Sequence, residues 1–317
     1  MQYLVTGGAG FIGRWVSARL AGEGHSVTIL DDLSNGSLEN IKDLNCEFIQ
    51  SDIRNEDTLD EVFQKRFDHV LHLAASIIVQ DSIDRPGHTF DVDVRGTFNV
   101  LERCRALKTP FLFVSTCMVY DAASGEGGIS ETHPVKPASP YAAAKLAGEH
   151  LALSYHYAYG LPVTVVRPFN TYGPYQKSNG EGGVVSIFIQ KFLSGEALKI
   201  YGDGTQTRDL MYAEDCAEFV IAASRSQRAV GQIINAGTGR DVSVNDLALR
   251  ICPDKMRCRH VAHIHPQSEI RRLLCNARKA KEFLGWEPRT TLEEGLRKTR
   301  EWLVERTYAK TVVGDGL

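Results

Sequence analysis

Thr6-Gly7-Gly8-Ala9-Gly10-Phe11-Ile12-Gly13 follows an apolar run at residues 2–5 and opens an amphipathic stretch at 11–23. The octapeptide meets both G-x-G-x-x-G and G-x-x-G-x-x-G spacing at the junction of a strand pattern and a helix pattern. Gly7 and Gly8 permit the turn, Gly10 lets backbone approach a pyrophosphate, and Gly13 allows the helix to pack closely on the strand. Phe11 and Ile12 begin that helix, whose N-terminus would stabilise phosphate charge. A glycine turn of purely structural use fits less well, because the flanking strand and helix are the context that gives the motif its meaning.

Moving outward, a second apolar run at 26–30 ends at Asp31, at about the spacing where a carboxylate accepts hydrogen bonds from an adenosine ribose. A carboxylate there repels a 2′-phosphate, Asp32 adds to the repulsion, and no arginine follows at once. The cofactor expected is therefore NAD and not NADP. Further apolar runs at 47–50, 69–73, 111–115 and 162–167 alternate with helical patterns around 59–63, 91–106 and 141–159. That alternation belongs to an α/β fold, a doubly wound parallel sheet of Rossmann type with helices on both faces. After Pro168 the rhythm loosens, with turn-forming glycines at Gly180, Gly182, Gly183, Gly202 and Gly204, and a second, smaller α/β substrate-binding domain is expected there. A helix at 215–225 and a strand at 232–235, able to return to the first sheet, divide the chain into 1–168 with 209–235, 169–208 with 236–306, and a weakly ordered tail at 307–317.

At 317 residues the chain can bury a substantial core, and a net charge of -3 gives no reason to expect nucleic acid or an anionic membrane as partner. The seven cysteines are scattered without a C-x-x-C pair, so reduced thiols and a cytoplasmic setting are expected rather than a disulfide framework. The amino terminus reaches its glycines too early for a leader, and no apolar run is long enough to cross a bilayer. His260, His263 and His265 crowd one stretch, but no matched Cys/His pair completes a tetrahedral set, and no metal is expected.

Two further segments carry reacting groups. Ser115-Thr116-Cys117-Met118-Val119-Tyr120 ends an expected strand, and Tyr141-Ala142-Ala143-Ala144-Lys145 puts a tyrosine and a lysine four positions apart on one helix face. The Lys145 ammonium, with an oxidised nicotinamide, would favour the Tyr141 phenolate and prepare it to take a proton from a sugar hydroxyl. Y-x-x-x-K alone is common on solvated helices; behind a dinucleotide-binding glycine loop it points to catalysis.

With these residues the chain resembles the extended short-chain dehydrogenase/reductases that epimerise or dehydrate nucleotide sugars. The resemblance spans nearly the whole length, through Gly7/Gly10/Gly13, Asp31, Asp52-Ile53, Leu73-Ala74-Ala75, Tyr141/Lys145, Arg167-Pro168-Phe169-Asn170, Tyr172-Gly173-Pro174, Tyr201-Gly202-Asp203-Gly204, Arg208-Asp209 and Leu284-Gly285-Trp286. It implies that Asp52 and Ile53 border adenine, that Leu73, Ala74, Ala75, Ser76 and Ser115 line the dinucleotide, and that Pro168 approaches nicotinamide. It further implies that Asn170, Arg208 and Arg271 hold the substrate diphosphate, that Tyr201 lies beside the nucleobase, and that helices 91–106 and 141–159 pair in a homodimer.

The chain departs from the family pattern in three places, four positions in all. Asp93 stands where asparagine is usual before Arg95-Gly96-Thr97, and Asn276 where aspartate is common. Cys117-Met118 occupies the pair that is Asp-Glu in 4,6-dehydratases and usually small in 4-epimerases. Thr116, Cys117, Met118 and Tyr141 are the expected contacts to the sugar. In this resemblance Tyr141, assisted by Thr116, removes the C4 hydroxyl proton while C4 hydride passes to NAD. The ketone acidifies C5–H, and three outcomes follow: C4 inversion, a 6-deoxy-4-ketosugar, or a 5,6-alkene after hydride return to C4. The pattern looks most similar to UDP-N-acetylglucosamine 5,6-dehydratases of tunicamycin-type biosynthesis. A UDP-hexose or UDP-hexosamine 4-epimerase is the alternative, and a silent NAD-sensing protein a third, disfavoured by the intact Thr116, Tyr141 and Lys145.

Overall fold

The computed structural model describes residues 1–122, 127–177, 183–262 and 270–314, with side chains described as far as Arg306. Its centre is a seven-stranded sheet built from β1 (Gln2–Thr6), β2 (Ser26–Asp31), β3 (Glu47–Gln50), β4 (His69–His72), β5 (Phe111–Val114) and β6 (Val163–Pro168), joined later by a strand at Ile233–Ala236. The spatial order is 3-2-1-4-5-6 with Ile233–Ala236 outside the sixth strand, and every pairing is parallel. All seven expected strands are present, shifted by at most one residue at either end.

Because successive strand residues point to opposite faces, each apolar run feeds two cores. Tyr3, Val5 and Ile29 pack on one face with Val16, Leu20, Phe219 and Val220. Leu4, Leu30, Val70, Phe111 and Phe113 pack on the other with Leu59, Val100, Leu101 and Ala152. The covering helices are α1 (Phe11–Gly22), α2 (Glu56–Val62), α3 (Val79–Asp84), α4 (Pro86–Phe90), α5 (Thr97–Leu107) and α6 (Pro140–Tyr159). α6 is well specified locally: the Ser139 side chain caps Ala142 N–H, Pro140 sits in the first turn, and Gly160 closes the helix in the left-handed region at φ 67°.

The helix expected over 91–106 is divided. Asp91–Gly96 winds as a π-helical turn before α5 begins. Two contacts bear on this turn: Thr97 Oγ1 donates to the Asp93 carbonyl at 2.6 Å, and a Cβ on Gly96 would lie 2.5 Å from Ile53 Cδ1. Such turns occur often at functional sites.

The second lobe holds β7 (Asn170–Tyr172), α7 (Val184–Leu193), β8 (Leu198–Tyr201), β9 (Thr207–Tyr212) and α8 (Ala213–Arg225), the last of which covers the first sheet. The chain then enters β10 (Ile233–Ala236), which pairs with β6, and leaves through β11 (Asp241–Ser243), α9 (Val244–Ile251), β12 (Cys258–Val261), β13 (Arg272–Leu273), α10 (Arg278–Leu284) and α11 (Leu292–Gly314). A small sheet ordered β11-β9-β13, with β7 also on β9, and a β8–β12 pair surround a core of Tyr172, Phe188, Ile200, Tyr212 and Leu247. Helix α11 continues past Arg306 through Gly314, into the stretch expected to be a weakly ordered tail. Gly180, Gly182, His263 and His265 lie outside the described residues. Among the described residues no helix is long and apolar enough to cross a membrane, and no three His, Cys, Asp or Glu side chains converge as a metal ion would need.

Candidate active site

The strand order reverses direction between β1 and β4, and the carboxyl ends of these strands open into a cleft of about 530 Å³. One end is the glycine loop. Gly7 has φ +71°, and a Cβ there would meet Ala74 N at 2.7 Å; a Cβ on Gly13 would lie 2.1 Å from the Gly7 carbonyl oxygen. Gly10 caps α1 without any side-chain cap, which leaves the first-turn N–H groups facing the cleft for an anionic ligand. The donor geometry and bare backbone fit a dinucleotide pyrophosphate.

Asp31 closes β2 beside the loop, 7 % exposed, its carboxylate accepting from Ala9 N–H at 3.0 Å and Leu33 N–H at 2.8 Å. A carboxylate offers about four acceptor sites, so two remain for ribose hydroxyls. Burial raises its pKa despite those bonds. Asp32, Asp52 and Ile53 line the same end, where Arg54 Nη2 pairs with Asp52 at 2.5 Å and holds that carboxyl below its ordinary range. Gly7, Gly10, Phe11, Ile12, Gly13, Leu73, Ala74, Ala75, Ser115 and Pro168 complete the expected wall, whereas Ser76 is absent from the lining. Ser76 N–H instead donates to Asp93 Oδ1 at 2.6 Å.

The other end gathers Thr116, Cys117, Met118, Tyr141, Lys145, Phe169, Asn170 and Arg208. Elements far apart in the chain place them: β5 ends at Val114 and runs into a short 3-10 turn capped by Thr116 Oγ1, which accepts from Met118 N–H at 3.2 Å. Helix α6 brings Tyr141 and Lys145 across from it. Beneath them Glu149, 1 % exposed, accepts from Ser115 Oγ and from Arg167 Nε at 2.8 Å, tying α6 to the ends of β5 and β6. Arg167 also lies over the Tyr120 ring at 4.6 Å, and Tyr120 donates to Asn235 Oδ1 at 2.7 Å.

Without a cofactor's charge, burial governs the reacting groups. It raises the Tyr141 phenol well above its ordinary value, with the nearby Asp93 carboxylate acting the same way and Thr116 opposing. It lowers Lys145, against the pull of Asp93 and Glu149. Burial also pushes the Cys117 thiol up to about 12, which favours the thiol over the thiolate near neutral pH.

Two expected substrate contacts are not in the lining. Tyr201 is 39 % exposed at the end of β8, and Arg271 is exposed, its charge acting on Asp203. Tyr175, Gln176 and Lys177, which sequence reasoning did not single out, stand in the wall instead. They are held by tertiary contacts: Trp15 Nε1 donates to Pro174 O at 3.2 Å, and the Arg14 guanidinium lies 4.6 Å from the Tyr175 ring centre. The nearest signal in the sequence is their adjacency to Tyr172-Gly173-Pro174. Asn170 Oδ1 is buried without a partner, as a ligand-facing amide would be.

Comparison with known proteins agrees with this geometry. Residues 3–237 match the NAD dependent epimerase/dehydratase family. The X-ray structure of Pal from Bacillus thuringiensis is 56% identical, with a TM-score of 0.94 over 96% of this chain and 100% of that one. A UDP-glucose 4-epimerase of Mycolicibacterium smegmatis is 36% identical across 95% of this chain and 98% of its own length. A dTDP-glucose 4,6-dehydratase of Xanthomonas campestris is 34% identical across 99% and 96%. A close-packed glycine loop, a carboxylate beside it, and a half-buried tyrosine above a buried lysine thus occur in a chain that belongs to the NAD dependent epimerase/dehydratase family.

Proposed function

We propose that the protein dehydrates UDP-N-acetylglucosamine to a 5,6-alkene. The observation that carries this reading is the charge distribution in the cleft. Its described carboxylates, Asp31, Asp32 and Asp52, all lie at the adenosine end, while the sugar end presents Cys117 and Met118 and no carboxylate. Methionine has no proton to exchange. The Cys117 thiol has one.

NAD supplies, when bound, a hydride acceptor that oxidises the sugar at C4 and later restores hydrogen there. Tyr141, oriented by Thr116 and backed by the Lys145 ammonium, takes the C4 hydroxyl proton. The ketone so formed makes C5–H acidic. Cys117 then protonates the departing C6 hydroxyl and, as thiolate, receives the C5 proton, which returns the thiol to its starting state. With no carboxylate among the described residues of the sugar end to protonate the carbon skeleton, reduction at C4 leaves the alkene in place. Arg208 and Lys177, the two cations in the wall besides Lys145, take the diphosphate with Asn170; Arg271 would reach it only by moving from the surface.

The segments 1–168 with 209–235 serve NAD in this reading, and 169–208 with 236–306 serve the nucleotide sugar. The exposed rings of Phe90, Phe98 and Tyr157 around α5 and α6 support a homodimer through those helices. A second reading, a UDP-hexose or UDP-hexosamine 4-epimerase, is favoured by the relative named a UDP-glucose 4-epimerase. The thiol step separates the two: Cys117→Ser is expected to slow loss of water at least about tenfold while C4 oxidation persists, because a hydroxyl is a far weaker acid. Dehydration at the wild-type rate would remove Cys117 from the mechanism.

A further inference from the structure

A carboxylate stands behind the tyrosine–lysine pair and the mechanism above makes no use of it. Asp93 sits in the π-helical turn, 1 % exposed. Its Oδ1 accepts the Ser76 N–H at 2.6 Å, and its main-chain carbonyl accepts Thr97 Oγ1 at 2.6 Å. Its Oδ2 is buried with no hydrogen-bond partner. An ionised oxygen left this way is costly to bury unless a positive charge compensates it. The positive charge that acts on it through space is that of Lys145, itself 3 % exposed, whose Nζ lies 4.3 Å from the Phe113 ring centre. The π turn packs against α4, α5 and α6.

We propose that Asp93 is a third ionisable member of this site, a positioning residue that holds Lys145 as an ammonium ion and sets a negative charge against which Tyr141 must ionise. The proposal rests on Tyr141 acting as the base, which C4 oxidation requires whether the product is an alkene or an epimer.

The surrounding charges leave Asp93 in that role. On α6 Tyr141 and Lys145 both feel its charge, and Glu149 one turn further on is already paired to Arg167. On β4 the His72 imidazole is held neutral by burial down to about 3. On α4 the charge of His88 acts on Asp52, which is paired to Arg54. Cys117 stays a thiol. Burial raises the Asp93 carboxyl to about 6, against the pull of Lys145 and the Ser76 N–H, so the group changes charge near neutrality. The ionised carboxylate raises both Tyr141 and Lys145; with Asp93 neutral, both give up their protons at lower pH.

Carbon-13 NMR of the NAD-loaded enzyme, labelled at tyrosine Cζ, lysine Cε and aspartate Cγ, tests this without depending on which product forms. Tyr141→Phe and Lys145→Met assign the signals. Asp93→Asn keeps an oxygen for the Ser76 N–H and removes the charge. In that variant the Tyr141 phenol and the Lys145 ammonium are both expected to titrate about one pH unit or more below wild type, as loss of a buried negative charge that raises both requires. Both titrations unchanged in a folded variant would overturn the proposal. The wild-type spectra give a second reading that needs no Asp93 variant: the Asp93 carboxyl carbon should titrate well above pH 4, with a matching inflection at Tyr141. A carboxyl titrating at or below 4 with no response at Tyr141 would overturn it equally.

Discussion

Thr6 Oγ1 lies 2.8 Å from Nδ1 of His72, and the surrounding bonds fix the direction of this contact. Thr97 Oγ1 gives its one proton to the Asp93 carbonyl, so it accepts from His72 Nε2 at 3.0 Å. His72 Nδ1 is therefore an acceptor and takes the Thr6 proton, while Thr6 Oγ1 accepts Ala74 N–H at 3.3 Å. One neutral imidazole ties the glycine-loop strand, β4 and the π turn together.

That arrangement makes stability depend on acid. Burial lowers the His72 pKa from 6.5 to about 3, so the unfolded chain binds a proton that the folded one refuses. The sign follows: stability is complete above 6.5 and falls as pH drops from 6.5 toward 3. At pH 5 the loss from this one group is about 2 kcal/mol. Urea unfolding of wild type and His72→Gln at pH 7.5 and pH 5 checks it. The wild type is expected to lose roughly that much more than the variant; parallel losses would show that His72 is not the titrating group.

Gly13→Ala tests the glycine loop. The added methyl carbon meets backbone at 2.1 Å, the Gly7 carbonyl oxygen, and backbone cannot rotate away as a side chain could. The loop must open, at a cost of about 3 kcal/mol, the upper end of overpacking penalties. Purified variant is expected to carry little or no NAD and to melt well below wild type. Full NAD content with an unchanged melting temperature would contradict the role given to this turn.

Phe98 is 43 % exposed on α5, and Phe90 and Tyr157 leave more of their surface bare nearby. If these rings meet their copies in a dimer, Phe98→Asp introduces like charges at the interface and should yield monomers by light scattering at micromolar concentration. Monomeric wild-type protein would dismiss the interface.

The sheet was legible because its inner strands are buried on both faces and so read as largely apolar runs, as at 2–6 and 163–168, while the edge strand Glu47–Gln50 is only half-buried. The dinucleotide end of the cleft was legible for a related reason: Gly7, Gly10, Gly13 and Asp31 act through local backbone geometry that their spacing encodes. Tyr175 and Lys177 were not legible, since Trp15 and Arg14, some 160 positions earlier, hold that segment in the wall. Nor could sequence show that Asp93 points inward. A π turn, the Thr97 hydroxyl and the Ser76 N–H decide that, and none leaves a periodic signal.

The central claim is the fate of the sugar, and the product itself tests it most directly. Purified enzyme with catalytic NAD is incubated with UDP-N-acetylglucosamine and examined by mass spectrometry and proton NMR. A product lighter by one water, with exocyclic alkene protons and no new methyl signal, is the expected result. A product of unchanged mass inverted at C4 would contradict the account and establish an epimerase.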